Sequence, residues 1–462
     1  MSSPTLPVDA AHGAPSAEGE KLKRALGTPT LTFFGVGMIL GAGVYAVIGT
    51  AAGEAGGALW VSFAIASVVA LLTGLSYAEL AAMHPRAGAE FVFLSEAAPR
   101  WPAAALTTAL LVALSGLATC ATVSIAFADY LGGLLGWDEG SGPFSAHQLV
   151  ALALIATSFV IAFAGILQSS WVNVLFTLIE AGGLVLVIGL GVGSGHFGER
   201  ALEVPDVGAL GVLAGASLVF FSFLGFENIA TLAEESKEPE RMIPRAILAS
   251  IVIAGVLYVL VALAAVALLP PAQLAASATP LTSAVEGASS HAGTALSVIA
   301  LFATANTCLG SLVVTSRLLY GVADGGALPS LLAKTGRTKT PYVALAVCVV
   351  IAAGLTFLGE VPVVASLSSL ASLCAFFAVN VSLIVLRRRR PDAKRPFSVP
   401  FSVKNVPLPA VLGALATLGL LASIDRRGQI VGAIAVVVIA GLAWIATRTL
   451  RSSERATSEN AR

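Results

Sequence analysis

The sequence predicts an all-α polytopic membrane protein with 12 transmembrane helices. Three observations predict it. Hydrophobic residues make up 57% of the 462 and charged residues 11%, whereas soluble domains carry about 25% charged residues. The apolar residues gather into twelve stretches, and a helix that crosses a bilayer needs about 20 apolar residues. The cations lie almost wholly in every second connection between those stretches.

The stretches run, in order, over 30–52, 58–82, 102–135, 147–166, 171–194, 208–231, 243–269, 291–323, 341–358, 361–386, 407–424 and 428–448. The third and eighth are long, so they tilt or extend past the bilayer. The tails, 1–25 and 449–462, are polar and Ser/Ala-rich and are expected to be disordered. The first 28 residues lack the apolar core of a cleavable signal peptide. With the N-terminus in the cytoplasm, 23 of the 26 Lys and Arg residues fall inside, and Arg200, Arg426 and Arg427 alone fall outside. The positive-inside rule then gives a multi-pass protein of the cytoplasmic (plasma) membrane with both termini cytoplasmic. An odd number of spans would break the alternation. The run Arg387 to Arg390 reads as a topology anchor or as a lipid-binding patch, and the rule already accounts for the first.

Composition also excludes classes. The net charge of +0 gives no electrostatic ground for a nucleic-acid partner. Cys120, Cys308, Cys348 and Cys374 all lie inside apolar stretches, without zinc spacing, and read as small packing residues. The five histidines are scattered at ends and loops, with no metal or nucleophile constellation. No enzyme, cofactor or metal is expected. The lipid bilayer is the expected environment.

The first stretch contains GVGMILGAGVYAVIG, Gly35 to Gly49, with five glycines. Its spacing is not that of a dinucleotide loop, and no strand precedes it. Gly37 and Gly41 form a GxxxG pair suited to close helix packing. Each glycine also costs about 1 kcal/mol in a helix interior. Gly41-Ala42-Gly43 is therefore a place for the helix to unwind, which backbone at that depth tolerates only where it lines a cavity. Both readings stay open on the residues alone. The sixth stretch is apolar up to Phe223 and then meets Gly225 and Glu227. A carboxylate inside a span is costly and marks function. Two interrupted spans five apart point to inverted five-helix repeats with a site at the midplane between them. The repeats would be 26–195 and 207–390, followed by two further helices over 405–448.

These residues carry a resemblance. GVGMILGAGVYAVIGTAAGEAG and LSYAELAAMHPRAGAEFVFLSEA resemble the first two helices of the amino acid–polyamine–organocation (APC) permeases. VFFSFLGFENIATLAEESKEPERMIPRAI resembles their sixth helix and following loop, with Lys237-Glu238 in place of the usual Lys-Asn before Pro239. TSRLLYGVADGGALP is similar to their eighth-helix end. NVSLIVLRRRRPDAKRPFSVP and GAGVY are similar to the cationic amino acid transporter branch. The resemblance covers about residues 25 to 448 and implies a LeuT-type fold, a 5+5 inverted repeat plus two extra helices. It implies a secondary active transporter that imports amino acids by alternating access. By that resemblance the N–H groups of Gly41, Ala42 and Gly43 hold the substrate carboxylate, and carbonyls near Ile39 take its ammonium. Phe221 would be the gate that closes over the substrate from outside. Leu224 would line the pocket, with the carbonyls of Phe221, Ser222 and Leu224 nearby. Glu227 occupies the family's acidic position, as a coupling group or as a cap of the second half-helix.

Glu180 departs from the pattern, because proton-coupled relatives commonly carry Lys there. Three roles are open for it. It gains and loses the coupling proton, since burial penalises its charged form; it binds a cation such as sodium with Thr304, Asn306 and Thr307; or it is neutral and structural. The third helix would line the pocket through Ala118, Thr119 and Thr122. Glu79, Arg86, Asp129 and Arg317 read as gate or fold residues without evident partners. No acidic residue is evident to receive a cationic side chain, so small neutral amino acids are the expected substrates. An exchanger of amino acids or polyamines would share every motif. A membrane sensor would need a soluble output domain, and the longest non-apolar segments are the tails.

Overall fold

The computed structural model describes residues 27–86, 88–136, 145–164, 170–197, 208–336, 340–358 and 361–460. The tail 1–25 and the cations Arg200, Arg337, Lys339 and Arg462 lie outside them. Every one of the twelve apolar stretches is helical within the described residues. The helices are α1 (Thr28–Leu40), α2 (Gly43–Ala55), α3 (Leu59–Met83), α4 (Ala89–Ala97), α5 (Pro102–Leu135), α6 (Ala146–Phe163), α7 (Ser170–Gly193), α8 (Gly208–Val219) and the single turn α9 (Asn228–Thr231). There follow α10 (Pro239–Leu268), α11 (Pro271–Ala276), α12 (Pro280–Glu286), α13 (Ser290–Asp324), α14 (Tyr342–Leu355), α15 (Val361–Arg389), α16 (Leu408–Ser423) and α17 (Arg426–Asn460). Among the described residues, 9 helical runs are long and apolar enough to cross a membrane, and three shorter apolar helices accompany them. The protein is an α-helical, multi-pass membrane protein.

Local sequence explains the ends. Proline stands in the first turn of α1, α5, α10, α11, α12 and α16, where its missing N–H costs nothing. Ser145 and Ser289 cap α6 and α13 through their hydroxyls. The only strands among the described residues are Ser402–Val403 and Val406–Pro407, paired antiparallel around Lys404 and Asn405, both at positive φ. The last helix departs from expectation. It runs on to Asn460, through most of the segment expected to be a disordered tail. No glycine or proline stands between Trp444 and Asn460 to stop it.

The interior is built from helices that are five apolar stretches apart. The second-stretch helix α3 packs along α10 of the seventh, and the third-stretch helix α5 along α13 of the eighth. α1 lies against α10 and α7, and α2 against α8. Four tyrosines, Tyr45, Tyr77, Tyr130 and Tyr258, are fully buried. Apolar side chains also cover the outside: Val437 is 70% exposed, and Ile434, Leu442 and Ile445 are exposed beside it. Such a surface fits lipid rather than water.

Glu79 is the most enclosed charge in this framework, 0% exposed on α3. The guanidinium of Arg387 pairs with it, its Nε at 2.9 Å from Oε1 and its Nη2 against Oε2. Arg395 Nε donates to Oε1 at 3.0 Å and the Val399 N–H to Oε2 at 2.7 Å. Arg387 is therefore a buried ion-pair partner, which neither of the two sequence readings of the arginine run contained. Its neighbours follow a different pattern: Arg389 bonds the Ala97 carbonyl at 2.8 Å, and Arg390 pairs with Glu96 at 2.9 Å. Asp129 also has a partner, His147, at 2.5 Å.

Candidate functional site: two facing helix breaks

Both interrupted spans are broken where the glycines stand. α1 ends at Leu40; Gly41 has ψ −156°, and α2 begins at Gly43. The first N–H groups of α2 have no partner within their helix, as at any helix start. The N–H of Ala42 donates to Thr307 Oγ1 at 3.0 Å. In the sixth stretch, α8 gives way at Phe220 to a tight 3-10 turn. The chain is extended at Leu224 and passes Gly225 at φ +125°, which L side chains rarely adopt. The carboxylate of Glu227 accepts from the Gly225 N–H at 2.8 Å. It therefore closes the break behind it, and α9 receives no side-chain cap from it.

The two breaks touch. A β-carbon on Gly43 would lie 2.7 Å from the Ser222 α-carbon, and one on Gly225 would lie 2.6 Å from the Met38 carbonyl oxygen. Glycine at both positions lets unwound backbone meet unwound backbone. Tyr258 of α10 spans them: its hydroxyl lies 2.5 Å from the Ile39 carbonyl and 3.1 Å from the Ser222 carbonyl. One of the carbonyls expected to face a substrate ammonium therefore already has a donor.

Beside the contact lies a cavity of about 60 Å³. Met38, Thr119, Leu224, Glu227, Thr307 and Glu90 are among its lining residues. Its walls come from the first, third, sixth and eighth stretches, together with α4. Glu90 is the surprise. It is 2% exposed and accepts from the Tyr77 hydroxyl at 3.0 Å. The sequence made no acidic residue evident to receive a cationic side chain; Glu90 joins Glu227, already expected at the second break, among the residues that line the cavity.

Other expected residues fall into place unevenly. On α5 the cavity is lined by Val112, Ser115, Gly116 and Thr119. Ala118 packs instead with Val364 and Leu367, and Thr122 is buried away from the cavity. Phe220, Phe223 and Phe226 each pair with another ring, whereas Phe221 pairs with none among the described residues. Phe221 is 2% exposed and does not line the cavity. The Ser222 hydroxyl is buried without a hydrogen-bond partner.

Glu180 is 1% exposed on α7. Asn306 Nδ2 donates to its Oε1 at 3.1 Å, and Oε2 is buried without a partner. Of the residues expected to form a cation site with it, Asn306 alone bonds it among the described residues. Thr304 turns back to the carbonyls of Ala300 and Leu301, at 2.8 and 3.0 Å, and Thr307 serves Ala42. Sequence reasoning missed Tyr258, Tyr45 and Glu90. A single tyrosine within the apolar run SIVIAGVLYVLVALAAV was the available signal, because a buried phenol needs a partner.

The sequence has relatives among known proteins. The amino acid permease family matches residues 26–424. The branched-chain amino acid permease of Bacillus subtilis is 30% identical over 418 residues, 87% of this chain and 89% of the relative. The vacuolar cationic amino acid transporter 4 of Arabidopsis thaliana is 32% identical over 409 residues, covering 83% and 67%. The methylthioribose transporter of Bacillus subtilis is 28% identical over 447 residues, covering 94% of each. These relatives are transporters and not enzymes. A match that begins at α1, takes in both helix breaks and ends after α16 leaves one assignment: the chain belongs to the amino acid permease family of the APC superfamily.

Proposed function

We propose that the chain is a secondary active transporter that imports amino acids across the cytoplasmic membrane by alternating access, with a proton as the coupling ion. The observation that carries this reading is the contact of the two helix breaks, Gly43 on Ser222 and Gly225 on Met38, beside a cavity. Unwound backbone inside a membrane bundle serves to bind the charged ends of a substrate. The N–H groups at Gly41, Ala42 and Gly43 take the carboxylate, and Thr307 yields Ala42 to it. The ammonium goes to carbonyls near Ile39, which Tyr258 yields to it, with the carbonyls of Phe221, Ser222 and Leu224 nearby. Phe221, the phenylalanine of the sixth stretch that joins no ring pair among the described residues, closes the site from outside.

In this reading 26–195 and 207–390 are inverted five-helix repeats of a twelve-span LeuT-type fold, with 405–448 added and both termini in the cytoplasm. The pairing of α3 with α10 and of α5 with α13, each five stretches apart, supports it. Glu180 carries the proton: it is a carboxylate at depth, held by one amide, with one oxygen unpartnered. Glu227 shares the coupling, since it fastens the second break through Gly225 and faces the cavity.

The test is uptake into proteoliposomes. The labelled panel includes small neutral, branched-chain and cationic amino acids, because relatives bear such names and because Glu90 and Glu227 border the cavity. An acid-outside gradient alone should drive accumulation, and Glu180→Gln should abolish the pH dependence. Accumulation under a sodium gradient alone would replace the proton with sodium. Uptake only into vesicles preloaded with amino acid would make the protein an exchanger and withdraw the coupling role of Glu180.

A further inference from the structure

Among the buried oxygens of the described residues that have no hydrogen-bond partner, two belong to one helix contact, that of α2 with α7. One is Glu180 Oε2 on α7; the other is the hydroxyl of Tyr45 on α2, three residues past the first break. The Tyr45 oxygen sits over α7 in a notch made by Gly183, where a β-carbon would lie 2.7 Å from it. Glu180 and Gly183 are three residues apart and so share a face of that helix.

The groups around Glu180 come from the elements packed on α7; α12 brings Thr282 and Ser283, whose hydroxyls bond Ser297 and Ser277 at 3.1 and 2.7 Å, and the carboxylate Glu286. α13 offers Asn306, which holds Oε1. α10 offers Tyr258, whose one proton is committed to the carbonyls of Ile39 and Ser222. α1 offers no donor here, only the Phe33 carbonyl, which accepts from Thr177 a turn away on α7. α2 offers Tyr45. The titratable neighbour beyond it is Tyr130 of α5, whose hydroxyl donates to the Tyr45 carbonyl at 3.2 Å. The donor left for Oε2 is the Tyr45 hydroxyl.

We propose that Tyr45 is a positioning residue of the transport cycle: its hydroxyl donates to the ionised Glu180 carboxylate and so ties the half-helix α2 to α7. A bond from a hydroxyl to a carboxylate is about twice as strong as one between neutral groups. Proton uptake by Glu180 weakens the tie and frees α2, and with it the Gly41–Gly43 break, to move. Tyr45 keeps its own proton throughout; the proton taken up stays on the carboxyl until it is released. The inference rests on the coupling role given to Glu180 above.

Tyr45→Phe keeps the ring against Tyr130, with which it makes an edge contact at 6.2 Å between centroids. The full chain is reconstituted, and uptake of the amino acid best accumulated by the wild type is measured from pH 5 to 9 beside Glu180→Gln and the double variant. Loss of a hydrogen bond to a charged group should displace the midpoint of the pH profile upward by about one unit, a tenfold change. The double variant should behave as Glu180→Gln alone. A Tyr45→Phe profile superimposable on the wild type would overturn the proposal. If that variant yields no folded protein, Gly183→Ala decides in its place, because the added methyl displaces the same hydroxyl. A wild-type pH profile for Glu180→Gln would remove the coupling role itself, and the proposal with it. An uncoupled Glu180→Gln beside an unchanged Tyr45→Phe would remove the proposal alone.

Discussion

Replacing Arg387 by alanine strands a carboxylate that has no access to water. Glu79 is 0% exposed and Arg387 3%, so neither group can be resolvated in place. Breaking a buried pair by removing one partner costs about 3–5 kcal/mol. The structure places this case at the lower end. Arg387 contributes its Nε and Nη2, but Arg395 Nε at 3.0 Å and the Val399 N–H at 2.7 Å remain on the carboxylate. Arg387→Ala should therefore lose about 3 kcal/mol, and Arg387→Ala with Arg395→Ala about 5. Removing the charge as well should recover part of the loss, so Glu79→Gln with Arg387→Ala should melt above Arg387→Ala alone. The assay is thermal unfolding of the purified protein in detergent. The exposed pair Arg241–Glu238, at 3.8 Å, is the control, and Arg241→Ala should leave the midpoint where it is. An Arg387→Ala midpoint equal to the wild type, or a double variant that melts below the single, would refute the reasoning.

Three further outcomes can be read from the same geometry. Gly225→Ala should abolish uptake while the protein still reaches the membrane, because φ +125° and a collision 2.6 Å from the Met38 oxygen forbid the side chain. Tyr258→Phe leaves the Ile39 and Ser222 carbonyls without their donor and should lower stability by about 1–3 kcal/mol, read as a lower melting midpoint. Burial pushes the His84 imidazole below its usual 6.5; Glu96 opposes the shift, and Arg390 and Arg86 add to it. The folded value thus lies below the unfolded one, so its contribution is complete above about 6.5 and is lost as pH falls through the folded value. Melting midpoints should drop between pH 7 and 5, and His84→Asn should flatten that slope.

The helices and both breaks were legible in the sequence because each leaves a local mark. Apolar length marks a span, repeated glycine marks the first break, and a glycine followed by a carboxylate marks the second. Pairing across the bundle leaves no such mark. Glu79 and Arg387 are 308 positions apart, and each is a charged residue near a helix end until the fold brings them together. Tyr258 lies in between: one hydroxyl in an apolar run announces that it needs a partner but does not name the Ile39 and Ser222 carbonyls.

Helix rotation explains how neighbouring residues at the site come to face different partners. Asn306 and Thr307 are adjacent on α13, and one residue turns a helix by about 100°. That step separates a side chain facing Glu180 from one facing Ala42. The sequence offered both as oxygens of one cation site because it fixes the period of a helix and leaves its origin free. α5 makes the same point. Val112, Ser115, Gly116 and Thr119 line the cavity at i, i+3, i+4 and i+7, one face of a helix. Ala118, one position from Thr119, is turned toward Val364 and Leu367. On α13 the facing stripe is Thr307, Ser311, Val314, Thr315 and Leu318, with the same spacing. An apolar helix buried on most sides has no polar face to announce which stripe looks inward. That direction is set by its neighbours, here by the two breaks: Met38, Leu224 and Glu227 close the cavity against which both stripes are aligned.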